Sequence, residues 1–342
     1  MNDKVINPPV LRRVVGAVTL LLVCGLAHAA DELPVLHANA QRTSVSGLSS
    51  GAFMSVQYAT AYSASVMGVG VVAGGPYNCV YVNLGGIATC MSGSPSGQMS
   101  WLAAQGFATL DQIDPVAGIA KQKAYVFSGT QDSVVKPAVV QATQDFYKAA
   151  GVSKTDLAYV NKLPAGHAFI APTFGNACAT NATPYIDQCL QKGLAYDQPQ
   201  AILQHIYGAL KPAASSLSTT VRPFDQRAFA SAYTGLDSVG YYYVPTSCVG
   251  NSSACAVHVV FHGCLQGAAV VGSDVYGKVG YNQWADSNHI IVLYPQVLAS
   301  KISPINPDGC WDWWGYSGSN FQVKNGPQMS AVKAMVDRLT TP

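Results

Sequence analysis

Thr43-Ser44-Val45-Ser46-Gly47-Leu48-Ser49-Ser50-Gly51-Ala52-Phe53-Met54-Ser55-Val56-Gln57-Tyr58 is the stretch on which the fold turns. Residues 43–47 read as a strand and residues 50–62 as a helix. Between them Gly47-Leu48-Ser49-Ser50-Gly51 matches G-x-S-x-G. The five-residue pattern is weak alone; a strand turning sharply into a helix gives it meaning. Such a turn strains the backbone of its central serine and exposes the hydroxyl, so small flanking residues are needed. The N–H of Ser50 would then lie at the positive end of a helix, suited to charge developing on a reacting oxygen. A plain Ser/Gly-rich turn is the competing reading, and it leaves the flanking pattern unexplained.

Outward from this stretch, apolar runs alternate with helical patterns, the mark of an α/β layer structure. Further strands are predicted at 66–73, 124–128, 157–161, 240–244, 256–261 and 290–294. Helices are predicted at 137–150, 199–210, 281–288 and 327–339, with Pro137 and Pro327 suited to first helical positions. Residues 74–100, 172–199 and 304–326 read as long loops of the kind that wall a site. Residues 212–223 are linker-like, but the strand-like segments on both sides can share one sheet. Residues 31–342 are expected to form a single catalytic domain.

A serine hydroxyl attacks an ester only with a base in reach and a carboxylate to orient that base. Asp132 follows the strand Ala124-Tyr125-Val126-Phe127-Ser128 directly, where open α/β sheets place functional groups. His167 follows the next strand, giving the Ser…Asp…His order of α/β-hydrolases. Asp114, Asp145 and Asp156 follow strands less cleanly. Six histidines lie beyond residue 30. His205 and His258 fall inside apolar patterns and suit satisfied core or surface roles. His262, in Phe261-His262-Gly263-Cys264, rivals His167 as base, but its place after a strand suits an oxyanion loop.

Lys4, Arg12 and Arg13, an apolar run to Leu26, and Ala27-His28-Ala29 make residues 1–30 a secretory signal peptide. The apolar run is short for a membrane span. Its removal leaves 16 basic and 16 acidic residues, which argues against a nucleic-acid partner. Eight cysteines remain in a chain expected outside the cytoplasm, and no C-x-x-C appears, so disulfides are favoured over a metal. Six fall into close pairs, Cys79 with Cys90, Cys178 with Cys189 and Cys248 with Cys255, leaving Cys264 and Cys310. Spacing alone does not fix this connectivity.

In the usual hydrolase order a His-Gly loop precedes the nucleophile. Here His262-Gly263 comes more than 200 residues after Ser49. Moving residues 241–339 in front of Thr43 restores the common order, so the sequence reads as a circularly permuted α/β-hydrolase with a mostly parallel sheet and helices on both faces. The matching pieces are Gly47-Leu48-Ser49-Ser50-Gly51-Ala52, Gly129-Thr130-Gln131-Asp132, Gly166-His167, His262-Gly263-Cys264 and Cys310-Trp311-Asp312-Trp313-Trp314. With these the chain resembles the single-domain, circularly permuted extracellular poly(3-hydroxybutyrate) depolymerases, and is similar to feruloyl and acetylxylan esterases once unpermuted.

The resemblance implies a Ser49–His167–Asp132 triad, an oxyanion hole from the N–H groups of Ser50 and Cys264, and a Cys264–Cys310 disulfide. It implies a secreted esterase, extracellular or periplasmic, acting on a polyester or its oligomers without cofactor or metal. Carbohydrate-ester hydrolysis and non-catalytic binding are the alternatives. A monomer without membrane partner is expected. If residues 310–314 are extended, alternation places Trp311 and Trp313 on one face, where both could flank the acyl unit. The long insertion after His167, around Cys178 and Cys189, departs from the family pattern and bears on the shape of the cleft.

Overall fold

β1 (Thr43–Leu48) is buried along its whole length, and its two neighbours come from opposite ends of the chain. The computed structural model describes Met1 and residues 30–231, 233–250 and 254–341. The expected signal segment, apart from Met1 and Ala30, lies outside the described residues. After β1 come α1 (Ser50–Ala61), β2 (Val66–Val72), α2 (Cys79–Val82), α3 (Gly86–Ser92), α4 (Gly97–Thr109), β3 (Lys123–Phe127), α5 (Pro137–Ala149) and β4 (Leu157–Val160). The insertion folds into five short strands: β5 (Phe169–Ile170), β6 (Asn176–Ala177), β7 (Ile186–Gln188), β8 (Leu190–Gln191) and β9 (Leu194–Ala195). The chain continues through α6 (Gln198–Tyr207), β10 (Arg222–Asp225), β11 (Val239–Tyr243), β12 (Ala256–Phe261), α7 (Ala268–Val271), α8 (Tyr281–Ser287), β13 (Ile290–Tyr294) and α9 (Pro327–Thr340).

The main sheet runs β10-β11-β13-β12-β1-β2-β3-β4. It is parallel from β13 to β4 and antiparallel where β10 and β11 join. Strands covered on both faces carry continuous apolar runs, and β12 and β13 are buried at every position. Side chains alternate across a strand. The hydroxyls of Ser44 and Ser46 meet Tyr207 of α6 and Tyr281 of α8, while Phe261 of β12 packs on Tyr58 of α1, so helices cover both faces. Among the described residues no helix is long and apolar enough to cross a membrane.

Two stretches differ from their sequence reading. Residues 74–100 read as loop, yet α2, α3 and the start of α4 lie there. They are short and punctuated by glycine, so no helical period stands out, and the Cys79–Cys90 disulfide ties α2 to α3. The linker-like stretch 212–223 runs into β10, which holds Pro223. A proline is tolerated there because β10 is the edge strand. Four disulfides form among the described residues: Cys79–Cys90, Cys178–Cys189, Cys248–Cys255 and Cys264–Cys310.

The approach of α1 to β12 is so close that a Cβ on Gly51 would lie 2.3 Å from the carbonyl oxygens of both Phe261 and His262. Gly51→Ala must displace backbone and is expected to destabilise by about 2–4 kcal/mol. At Gly106 in α4 a Cβ would meet nothing within 4 Å. Gly106→Ala should therefore stabilise by about 0.5–1 kcal/mol through helix propensity alone. Urea denaturation of both variants checks the pair of signs.

Candidate active site

Ser49 caps α1 with φ 57° and ψ −123°, a left-handed backbone that an L-residue adopts only when its surroundings hold it there. Three hydrogen bonds do so. Its N–H donates to Val72 O at 3.0 Å, and its carbonyl accepts from Ala52 N at 2.8 Å and Phe53 N at 3.0 Å. The serine is thereby lifted to the mouth of a cleft of about 290 Å³, whose lining also includes His167, Ser50 and Cys264.

Asp132 and His167 stand on the loops after β3 and β4. The Nδ1–H of His167 donates to Asp132 Oδ2 at 2.8 Å, which leaves Nε2 as the basic nitrogen of the ring. Asp132 Oδ1 accepts from the N–H groups of Val134 and Val135 at 2.8 and 2.9 Å, so the buried carboxylate is fully engaged. Asn181, from the insertion, joins the two loops. Its Oδ1 accepts from Ser133 N and His167 N, both at 2.9 Å, and its Nδ2 donates to Gln131 O. Nothing in the sequence distinguishes Asn181 from other loop asparagines, so sequence reasoning does not find it.

The His262-Gly263-Cys264 loop lies against Ser49: a Cβ on Gly263 would come within 3.4 Å of the Cβ of Ser49. His262 is not placed to act as a base. Its Nδ1–H donates to Gly263 O at 2.7 Å and its Nε2 accepts from Val297 N at 3.1 Å, so both ring nitrogens are committed to backbone. Burial pushes its pKa down to about 4. His258, beneath Ser49 in the sheet, is likewise pushed down to about 3 by burial. Its two nitrogens meet the hydroxyls of Ser44 at 2.6 Å and Ser46 at 2.8 Å.

The aromatic segment departs from the extended alternation expected of it. Asp312 Oδ1 accepts from the N–H groups of Trp314, Gly315 and Tyr316, and Oδ2 accepts from the N–H and hydroxyl of Ser317. These bonds curl the chain. Trp311 ends fully buried against Phe261 and His262 and is not on the cleft wall. Trp313 and Trp314 both line the cleft, and Trp313 stacks on Phe53 with centroids 4.3 Å apart. Ile87, Met91, Val134, Tyr185 and Leu265 complete a mostly apolar lining. Tyr185 presents itself edge-on to His167 at 6.0 Å. Among the described residues, one group has candidate metal-ligand spacing, Cys248, Cys255 and His289, but both sulfurs are tied in a disulfide and offer no thiolate.

No protein-family model matches the chain. A poly(3-hydroxybutyrate) depolymerase of Delftia acidovorans is 42% identical over 336 residues, covering 95% of this chain and 65% of that protein, so the chain spans about two thirds of that relative. A polyhydroxybutyrate depolymerase of Talaromyces funiculosus is 37% identical over 346 residues, covering 94% of this chain and 96% of the relative. Two solved structures superpose with a TM-score of 0.82, each covering 91% of this chain and 99% of its own. One is a serine-to-alanine variant of a PHB depolymerase complexed with an R3HB trimer, 34% identical. The other is a PHB depolymerase from Penicillium funiculosum, 35% identical.

The buried imidazoles of His258 and His262 carry a stability consequence. An unfolded histidine titrates near 6.5, above both folded values, so the unfolded chain binds more protons as pH falls from about 6.5 toward 4. The stability these two groups contribute is complete above that window and is lost through it, by up to about 2.7 kcal/mol per pH unit. Buried Asp187, whose pKa burial raises to about 7, binds its proton in the folded state over the same range and offsets about one of the two protons. Urea denaturation of wild type and His258→Gln between about pH 6.5 and 4 should show the variant losing less stability on acidification, its slope differing from wild type by about one proton.

Proposed function

The chain belongs to the poly(3-hydroxybutyrate) depolymerase family, and from that membership we propose that it is a secreted serine esterase that hydrolyses poly(3-hydroxybutyrate) or its oligomers through an acyl-enzyme on Ser49. Ser49 Oγ attacks the ester carbonyl and His167 Nε2 takes its proton. Asp132 holds the Nδ1–H tautomer and stabilises the imidazolium that forms. The N–H groups of Ser50 and Cys264 receive the oxyanion, His167 then protonates the leaving alcohol, and water releases the acyl group by the same steps reversed. The observation that carries this reading is the 2.8 Å His167–Asp132 contact opening into the same cleft as the strained Ser49.

An apolar cleft whose described lining holds a single carboxylate, Asp308, suits a neutral ester chain. Three of the excursions from the main sheet carry exposed apolar side chains: Leu84 and Ile87 on α3 and its approach, Leu190 and Leu194 on the β8–β9 hairpin, and Ile302 and Ile305 ahead of Asp308. Together with the balanced charge, they support contact with an uncharged apolar solid by the catalytic domain itself. Residues 31–342 acting as one domain fit a single main sheet that collects strands from Thr43 to Tyr294. The permuted reading is supported by β12, from the last third of the chain, lying beside β1, with β13 beside β12. Four disulfides support an oxidising, extracytoplasmic location.

Ser49→Ala is expected to lower turnover of a p-nitrophenyl ester by several orders of magnitude with the fold intact. His167→Ala should do the same. Clearing of a poly(3-hydroxybutyrate) suspension, without release of ferulate or acetate from acylated xylan, is the expected substrate profile. Near-normal ester turnover by Ser49→Ala, or loss only in His262→Ala, would reassign the site.

A further inference from the structure

The N–H of Cys264 owes its direction to the peptide plane it shares with Gly263. In a trans peptide the carbonyl and the following N–H point opposite ways. Gly263 O is held by the Nδ1–H of His262, a ring with no exposed surface, so the N–H of Cys264 is turned the other way, toward the cleft that Cys264 lines. The other side of Gly263 is held too. Its own N–H donates to Gln266 Oε1 at 2.7 Å.

Gln266 is buried, and its amide has a second set of partners. Nε2 donates to Pro184 O at 2.8 Å and Tyr185 O at 2.9 Å, both in the insertion. Reversing the amide would set an NH₂ against an N–H and an oxygen against two carbonyls, so the partners fix its orientation. Tyr185 has a left-handed backbone at φ 55° and stands edge-on to His167. One side-chain amide therefore joins the loop beside Ser49 to the wall beside the base.

We propose that Gln266 is a positioning residue for ester hydrolysis, setting the Cys264 oxyanion donor and locking the Tyr185 wall to it. The insertion thus takes part in the chemistry through Gln266 as well as shaping the cleft. This rests on the roles given above to Ser49 and Cys264.

The test uses Gln266→Ala and Gln266→Glu on p-nitrophenyl butyrate, with a boronic acid as mimic of the tetrahedral adduct. For Gln266→Ala, kcat should fall about 10- to 100-fold with KM within about twofold, and boronic-acid affinity should fall by the same factor as kcat. In Gln266→Glu one oxygen still accepts from Gly263, but the other faces two carbonyls and serves only when protonated. Burial and those carbonyls raise the pKa of the introduced carboxyl. The ratio of its kcat to wild type should then be highest at the acid end and fall as pH rises from about 5 to 9. A rise in KM at unchanged kcat, or a loss that tracks the folded fraction by circular dichroism with a flat pH ratio, would overturn the role of Gln266. Ser49→Ala separates the two failures. If it is inactive while the Gln266 variants match wild type, only this inference falls; if it is active, the underlying reading falls as well.

Discussion

The backbone of Ser49 is the constraint around which the rest is arranged. A left-handed, non-glycine residue costs on the order of 1–3 kcal/mol, and it persists only where neighbours over-determine it. Here the neighbours are the end of β2, which accepts its N–H, and the first turn of α1, which donates to its carbonyl. Both require α1 to approach the sheet more closely than any side chain at residue 51 would permit. A Cβ on Gly47 would also meet Gly51 O at 2.3 Å and Phe261 O at 2.8 Å. The same approach presses the end of β12 against the elbow. The loop leaving β12 therefore emerges beside Ser49.

That coupling explains what can be read from the chain and what cannot. Gly47, Ser49, Gly51, Asp132 and His167 are legible because each sits at the end of one strand, and strand ends are local features. The parallel core strands are legible from Val/Ile-rich runs, with boundaries within a residue or so. The helices of residues 79–109 are not, because their glycines and small residues blur the period. Asn181 and Gln266 are invisible for a different reason. Each works through hydrogen bonds to backbone groups distant in sequence, and neither residue type marks such a role. Trp311 is misplaced by assuming an extended segment, when the local competition of one aspartate for five donors bends it.

His258 shows how an apolar pattern can conceal a polar device. Hydroxyls in a strand covered on both faces must find partners, since each unpaired group costs about 1–3 kcal/mol. Tyr207, Ser44, His258, Ser46 and Tyr281 form one continuous hydrogen-bonded row under the elbow, with contacts of 2.6 to 2.8 Å. The row crosses from α6 to α8 through two strands. It ties β1 to β12 by side chains as well as by the ladder, three residues before Ser49.

On the opposite side of the cleft, the wall is fixed by covalent and packing terms of comparable size. The Cys264–Cys310 bridge closes a span of 46 residues, worth roughly 4 kcal/mol in the chain-entropy picture. Asn306 brackets Cys310, accepting its N–H and donating to its carbonyl at 2.9 Å each. Trp311 then buries its indole, and among the described residues its Nε1–H has no hydrogen-bond partner. The cost of that orphan is about 1–3 kcal/mol. Burying an indole of about 200 Å² contributes about 5 kcal/mol, so packing on Phe261 and His262 outweighs it. The tryptophan that sequence alternation assigned to substrate instead backs His262, and so bears on the His262-Gly263-Cys264 loop from inside the core.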